Sequence, residues 1–303
     1  MSAARKIRWS VALLAIAAGA GFWFRPLSCF DAVLYMHEAL TGVRSRTVVV
    51  HGYRVHYLVE GPENGEAVVL VHGLGGSAED WRSLAPFLAR AGYRVYIPDL
   101  PGYGRSERPA DFSYTVRDEA AIVIGFMDAL RLDRVNLGGW SMGGWIVQLI
   151  AGDEPQRILR LMLFDSAGLH VQPDWNTNLF TPATAQELDQ LDALLFPHPP
   201  PVPGFVARDI LRFSAGRAWV MQRAMASMLT GRDVTDALLP QLKMPVLIVW
   251  GSEDRIMPLA QGQAMHKLIP QSEFEVFDGC GHLAALQCAD AMGPRVTAFV
   301  KKQ

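Results

Sequence analysis

Gly139-Trp140-Ser141-Met142-Gly143 decides how this 303-residue chain is read. The five residues spell G-x-S-x-G. Residues 134–138 before them (Arg-Val-Asn-Leu-Gly) form a short run of strand length, and residues 144–153 after them carry a helical pattern. A strand that turns sharply through a serine into a helix is a nucleophile elbow. The turn strains the serine backbone, and a side chain on either flanking glycine collides with the strand or the helix. Five residues match a pattern by chance, so the rest of the chain must supply a base, an acid and an oxyanion hole.

A serine hydroxyl is a weak nucleophile until a histidine takes its proton, and the imidazolium so formed needs a carboxylate to orient and stabilise it. On this elbow the chain order is Ser, acid, His. Residues 244–251 read as an apolar strand ending in Gly251, with Asp254 three positions beyond. Residues 273–277 read as the next strand, followed by Asp278-Gly279-Cys280-Gly281-His282. Asp254 and His282 thus fall just past strand ends, where a parallel sheet places its chemistry. His266 lies inside a helical run, His51 and His56 precede the motif and His198 sits in a proline tract, so His282 is the candidate base. Asp165, which ends the strand at 159–165, is a rival acid. The Gly-x-x-Asp turn after the next strand favours Asp254.

An oxyanion hole needs two backbone N–H groups aimed at the developing negative oxygen. One belongs to Met142, which follows the serine at a helix N-terminus. The other comes from the loop after the strand at 67–71, His72-Gly73-Leu74-Gly75-Gly76, with the Leu74 N–H as donor. His72 reads as a pin for that loop, and Ser77 with Asp80 as a capping box that starts a helix. Asp99-Leu-Pro-Gly102-Tyr-Gly104-Arg-Ser106 follows the strand at 93–97 and reads as a structural turn, not as a source of catalytic groups.

On these motifs the chain resembles an α/β-hydrolase of the monoacylglycerol lipase and esterase type. It is especially similar to the small membrane-anchored monoacylglycerol lipases and their bacterial lipase relatives. The match runs from about residue 46 to 300 through His72-Gly73, Gly139 to Gly143, Gly251 to Asp254 and Gly281-His282. The stretches 166–169 and 181–188 are similar to the cap entrance of that subgroup, and the apolar N-terminal segment to its anchor. Trp140 departs from the His or Asn often seen before the nucleophile. The resemblance implies a serine hydrolase that cleaves carboxylic esters through an acyl-enzyme, with no cofactor and no metal. Ser141 separates the chain from dehalogenases and epoxide hydrolases of this fold, which use an Asp nucleophile. C–C bond hydrolases of dienone-type substrates also carry Ser; an arginine (Arg208, Arg212 or Arg217) in a polar pocket near Ser141 would favour that reading. A non-catalytic, membrane-associated binding protein is the third reading.

Composition fits one α/β domain with an insertion, since half of the residues are hydrophobic. The formal net charge is −2, and residues 1–30 hold four basic and no acidic side chains, leaving 24 basic against 30 acidic elsewhere. That balance argues against a nucleic-acid partner. Cys29, Cys280 and Cys288 make no even disulfide framework, and Cys280 reads as a small core residue.

Arg5, Lys6 and Arg8 precede a 16-residue apolar run, residues 9–24, ended by Arg25. As a helix this run spans about 24 Å at ~1.5 Å per residue, slightly short of a hydrocarbon core of about 30 Å unless Arg8 snorkels. It reads as an uncleaved membrane anchor in contact with lipid, with the basic end cytoplasmic and the catalytic domain on the periplasmic or extracellular side. Cleavage of a signal peptide near Ala20, with secretion, is the alternative. A further alternative is a hydrophobic helix that packs on the enzyme's own cap.

Residues 31–45 read as a linker or short helix, then 47–50 and 53–60 as a hairpin. Strands at 67–71, 93–98, 134–138, 159–165, 245–250 and 273–277 alternate with helices at 78–90, 115–130, 142–152, 258–269 and 284–300. Such alternation predicts an α/β fold, with a mostly parallel eight-stranded sheet flanked by helices. The alternation lapses at 169–243, which reads as a helical cap inserted after the sixth strand, with helices at 181–196, 204–214 and 217–230 and a stiff proline connector at 197–203. The expected organisation is an N-terminal segment 1–30, a core from 31–168 and 244–303, and the cap. Met221, Met225, Met228 and their apolar neighbours in the cap suit a lipophilic ester substrate.

Overall fold

The computed structural model describes residue 19 and residues 21–302. Eight strands form one sheet: β1 (Arg44–Val50), β2 (Tyr53–Glu60), β3 (Ala67–Val71), β4 (Arg94–Pro98), β5 (Val135–Trp140), β6 (Ile158–Phe164), β7 (Val246–Gly251) and β8 (Glu273–Phe277). Their order is β1-β2-β4-β3-β5-β6-β7-β8. The β1–β2 and β2–β4 pairs are antiparallel and every other pair is parallel. Strands β5 and β7 are buried along their whole length, as a parallel sheet covered on both faces requires. That is why β7 is an apolar run and not an alternating one, while β5 carries one buried polar residue, Asn136.

One face of the sheet is covered by α3 (Val116–Ala129), α4 (Met142–Asp153) and α8 (Leu259–Leu268), through residues such as Phe126, Ile146, Ile150 and Met265. The other face packs on α2 (Ala85–Arg90), α9 (Ala284–Gln287) and α10 (Ala289–Lys301), through Leu88, Met292 and Phe299. The chain passes from β3 outward to β4 and then returns to the other side of β3 as β5. The order therefore reverses between β3 and β5, and a crevice opens at their C-terminal ends.

Between β6 and β7 the chain folds as α5 (Ala185–Leu195), α6 (Gly204–Ala215) and α7 (Ala218–Met228). A capping box starts α5: Thr184 Oγ1 accepts from the Glu187 N–H, and Glu187 accepts from the Thr184 N–H. This start lies four residues later than the pattern predicts, because 177–180 form a separate 3₁₀ turn.

Of the two readings of residues 31–45, the helix is the one found: α1 (Pro26–Thr41) has 16 residues and is started by a proline in its first turn. Other expectations are corrected. Strand β1 begins at Arg44. The helix at 78–90 is a 3₁₀ turn (Ala78–Trp81) followed by the short α2, and the helix at 284–300 breaks at Cys288 into α9 and α10. Cys280 is not an unbridged core residue: it forms a disulfide with Cys288, leaving Cys29 free.

Most of the apolar run 9–24 lies outside the described residues. Its end packs on the cap. Trp23 stacks on Phe205 with ring centroids 4.9 Å apart, the Leu27 N–H donates to Asp209 at 3.1 Å, and Arg212 donates to the Phe24 carbonyl at 3.3 Å. Among the described residues no helix is long and apolar enough to cross a membrane.

Candidate active site

Strand β5 delivers Ser141 to the crevice. The serine is the N-cap of α4 and holds φ 55°, ψ −119°, a conformation rare for a residue with a side chain. Three backbone hydrogen bonds fix it: its N–H donates to Phe164 at 3.0 Å, and its carbonyl accepts from Trp145 at 3.2 Å and Ala167 at 3.0 Å. A Cβ on Gly139 would run into the carbonyl of Gly143, and one on Gly143 into the carbonyl of Val71. Both motif glycines are thus demanded by close backbone approach.

The loops after β7 and β8 bring the other two groups. His282 Nε2 lies 2.9 Å from Ser141 Oγ, and His282 Nδ1 lies 2.8 Å from Asp254 Oδ2. The second oxygen of Asp254 accepts from the N–H groups of Ile256 at 2.8 Å and Met257 at 2.9 Å. All three side chains are buried. An ionised carboxylate can only accept, so Nδ1 carries the hydrogen and the Nε2 lone pair faces the serine hydroxyl.

Asp165 stands apart from this chain of hydrogen bonds. One of its oxygens accepts from the Gly251 N–H at 2.7 Å, and the other has no hydrogen-bond partner among the described residues. Complete burial, reinforced by the neighbouring Asp254 charge, pushes its carboxyl well above the usual range against the pull of the Gly251 and Ala284 N–H groups. Asp165 therefore braces the start of the Asp254 turn, and Asp254 is the carboxylate that touches His282.

Met142 is the first residue of α4, so its N–H has no partner within the helix. Leu74, in the loop after β3, lines the same cavity as Ser141. His72 ties that loop down. Its Nδ1–H donates to the Gly73 carbonyl at 2.8 Å, and its Nε2 accepts from the Leu100 N–H at 3.0 Å. Burial lowers its pKa and keeps it neutral, as both bonds require.

Two largely apolar cavities flank the site, one at Ser141 and one at His282, with Leu74 in the wall of both. The first is lined by Leu74, Trp145, Trp175, Met225, Met228 and Met257, among others, and its wall carries no Lys, Arg, Asp or Glu among the described residues. The second runs past His282 under the cap, between Trp140, Leu188, Leu191, Ile210 and Met221. Of the three arginines singled out in the cap, Arg212 pairs with Asp209 at 2.9 Å, while Arg217 borders the second cavity and stacks on Phe213.

Two contacts on the His282 loop escape motif reading. The Trp140 indole N–H donates to the His282 carbonyl at 2.6 Å, and the Cys280–Cys288 disulfide brackets the histidine. Gln287 adds a third, accepting from the Gly281 N–H at 2.8 Å and donating to the Leu195 carbonyl at 3.2 Å, which links this loop to the end of α5. The eight-residue spacing of the cysteines around His282 was the available signal.

The alpha/beta hydrolase fold family model matches residues 66–219 and 231–287. A 2-hydroxy-6-oxo-6-phenylhexa-2,4-dienoate hydrolase from Burkholderia cepacia is 31% identical over 279 residues, covering 82% of this chain and 91% of that protein. Among solved structures, a membrane phospholipase A described as a bacterial virulence factor superposes with a TM-score of 0.83 at 27% identity, covering 98% of this chain and 97% of the other. The 2-hydroxy-6-oxo-6-phenylhexa-2,4-dienoate hydrolase from Rhodococcus sp. strain RHA1 superposes with a TM-score of 0.75 at 26% identity, covering 86% and 99%. With its elbow, its sheet order and this family match together, the chain is a hydrolase that belongs to the alpha/beta hydrolase fold family.

Proposed function

We propose that this hydrolase cleaves carboxylic esters with a lipophilic acyl chain, monoacylglycerols or similar, through a covalent acyl-enzyme. The observation that carries the reading is a serine–histidine–aspartate relay opening into a cavity walled by apolar and Met side chains. In this mechanism Ser141 Oγ attacks the ester carbonyl while His282 Nε2 takes its proton, and Asp254 holds the imidazolium. The N–H groups of Met142 and Leu74 receive the oxyanion. His282 then returns the proton to the leaving alcohol, and water repeats the sequence to release the acid. Long flexible Met225 and Met228 accommodate the acyl chain, and the second cavity takes the alcohol portion.

C–C bond hydrolysis of a dienoate is the second reading, favoured by the sequence relatives. Such a substrate carries a carboxylate; the wall of the first cavity has no Lys or Arg to meet it among the described residues, whereas Arg217 borders the second cavity. Turnover of p-nitrophenyl esters from acetate to palmitate, beside a 2-hydroxy-6-oxo-dienoate, tests both. Activity rising with chain length supports the ester reading; activity on acetate and the dienoate alone overturns it. A fluorophosphonate probe should label the wild type and lose its fast adduct in Ser141→Ala, which separates either enzyme from a binding protein.

The same proposal places the catalytic domain outside the cytoplasm, tethered by residues 9–24 to lipid. The basic residues before that run support the orientation, and a disulfide in the catalytic domain supports an oxidising compartment. Extraction with alkaline carbonate should leave the protein in the membrane fraction; release into the soluble fraction would sink the anchor.

A further inference from the structure

A second Ser–His–Asp arrangement lies at the β1 edge of the sheet. In the β1–β2 ladder Ser45 stands opposite Leu58 and Thr47 opposite His56, so Ser45 and His56 share one face of the hairpin. His56 Nε2 lies 2.8 Å from Ser45 Oγ, and His56 Nδ1 lies 2.7 Å from Asp99 Oδ2. These distances match those at Ser141 within 0.1 Å. Asp99 also accepts from the N–H groups of Ala78 at 2.6 Å and Arg105 at 2.8 Å. Although burial opposes it, the hydrogen bonds from His56 Nδ1 and the Arg105 N–H keep the carboxyl below its usual range, hence ionised. An ionised Asp99 makes Nδ1 the donor and leaves the Nε2 lone pair to accept from the Ser45 hydroxyl. His56 and Asp99 are buried, while Ser45 is exposed to a reagent.

The surroundings add a second observation. Leu58, directly opposite Ser45, lines a cavity beneath α1 whose wall mixes apolar side chains such as Leu34 and Ile97 with the charged Glu60, Glu79, Arg82 and Arg90. We propose that Ser45 is a second nucleophilic serine that accepts an acyl group from an activated ester, its acyl portion lying toward the mixed cavity beneath α1.

In this step the Ser45 Oγ–acyl carbon bond forms as His56 Nε2 takes the hydroxyl proton. The bond from the acyl carbon to the leaving oxygen then breaks, and that oxygen receives the proton from His56. The products are O-acyl-Ser45, one alcohol and a neutral His56, with no further reactant. Ser45 lies inside a strand and has no helix N-terminus behind it, unlike Ser141. The loss of one oxyanion donor costs ~10²–10³-fold in rate. Acylation at Ser45 is slower than at Ser141 by about that factor, and the same deficit slows its hydrolysis. The site therefore becomes modified and does not turn over.

The test uses the full chain and a fluorophosphonate probe, which transfers its phosphonyl group to serine with loss of fluoride. Intact mass and peptide mapping follow the Ser141→Ala variant. One adduct should form on Ser45, on the order of 10²–10³-fold more slowly than the Ser141 adduct of the wild type. Adding Ser45→Ala should abolish it, and adding His56→Gln should slow it by at least tenfold. Because His56 is buried and its variant can lose the fold, heat-denatured Ser141→Ala serves as a second control and should leave Ser45 unlabelled. Ser45→Ala alone should label at Ser141 at the wild-type rate. No Ser45 adduct after exposure roughly a thousandfold longer than Ser141 needs would overturn the proposal. So would an adduct that His56→Gln leaves untouched in a folded chain, or one that forms equally on the denatured protein.

Discussion

Replacing Asp254 by Asn tests the relay at its most informative atom. Oδ1 of Asp254 is held by two backbone donors, the N–H groups of Ile256 and Met257, at 2.8 and 2.9 Å. An Asn must keep its carbonyl oxygen there, because turning its NH₂ toward two N–H groups would bury facing donors without acceptors. The amide NH₂ then faces His282 Nδ1, which must become an acceptor. That moves the ring hydrogen to Nε2, pointing at Ser141 Oγ, so the base has no lone pair to offer the hydroxyl. The size and position of the side chain are unchanged; the tautomer is wrong. A wrong tautomer of this kind lowers kcat by ~10⁴, or ~5 kcal/mol of barrier. The assay is esterase turnover beside thermal melting, with Asp165→Asn as the paired control. Asp165 makes no hydrogen bond to His282 and accepts from the Gly251 N–H, which the carbonyl of an Asn repeats. Asp165→Asn should therefore retain kcat within a few-fold. Equal losses in the two variants, or a larger loss at 165, would refute the assignment of the acid.

Four further outcomes follow from particular contacts. Trp140→Phe removes the N–H that meets the buried His282 carbonyl at 2.6 Å, and an unmet buried acceptor costs about 1–3 kcal/mol, so both the unfolding midpoint in urea and kcat should fall. Opening the Cys280–Cys288 bridge in a Cys280→Ala/Cys288→Ala variant releases a loop of sequence separation 8, worth about 2.5 kcal/mol in the chain-entropy model; unchanged stability and unchanged kcat would show that the bridge does not hold the His282 loop. Met225→Trp should fill part of the first cavity and shift the ester profile toward short chains, leaving acetate hydrolysis within about threefold of wild type, as expected for a cavity-wall residue outside the relay. Finally, burial raises the Glu60 carboxyl to about 7, against the pull of Arg90. The folded state thus binds this proton more tightly than the unfolded chain does, so its stabilising contribution is present below about pH 4.5 and is lost as pH rises through 7. Glu60→Gln should therefore gain about 1–3 kcal/mol on the wild type between pH 5 and 8 in chemical denaturation, the range allowing for partial solvent screening; parallel curves would contradict this.

The elbow, the strands and the candidate groups were legible in the sequence because each is a local property. Gly139, Ser141 and Gly143 are neighbours in the chain, and the clash that demands glycine there is set within a few residues. Strand β7 is buried on both faces, which writes itself as an unbroken apolar run. Helix breaks were less legible: the 3₁₀ turn at 78–81 keeps a helical apolar spacing, so periodicity alone runs it into α2.

What the sequence could not decide was which distant groups meet. His282 and Ser141 are 141 residues apart and His282 and Asp254 are 28 apart, so their pairing depends on the parallel register of β5, β6, β7 and β8. That register sets Asp165 against Gly251 and sends Asp254 to the histidine. An odd number of cysteines hid the bridge at 280–288, and only the fold of the His282 loop brings those two sulfurs together. The same holds for Ser45, His56 and Asp99, which come from three strands or strand ends and carry no motif between them. Short-range sterics and periodicity are written in order along the chain, whereas hydrogen-bond partners are chosen by sheet register and burial, which exist only once the chain has folded.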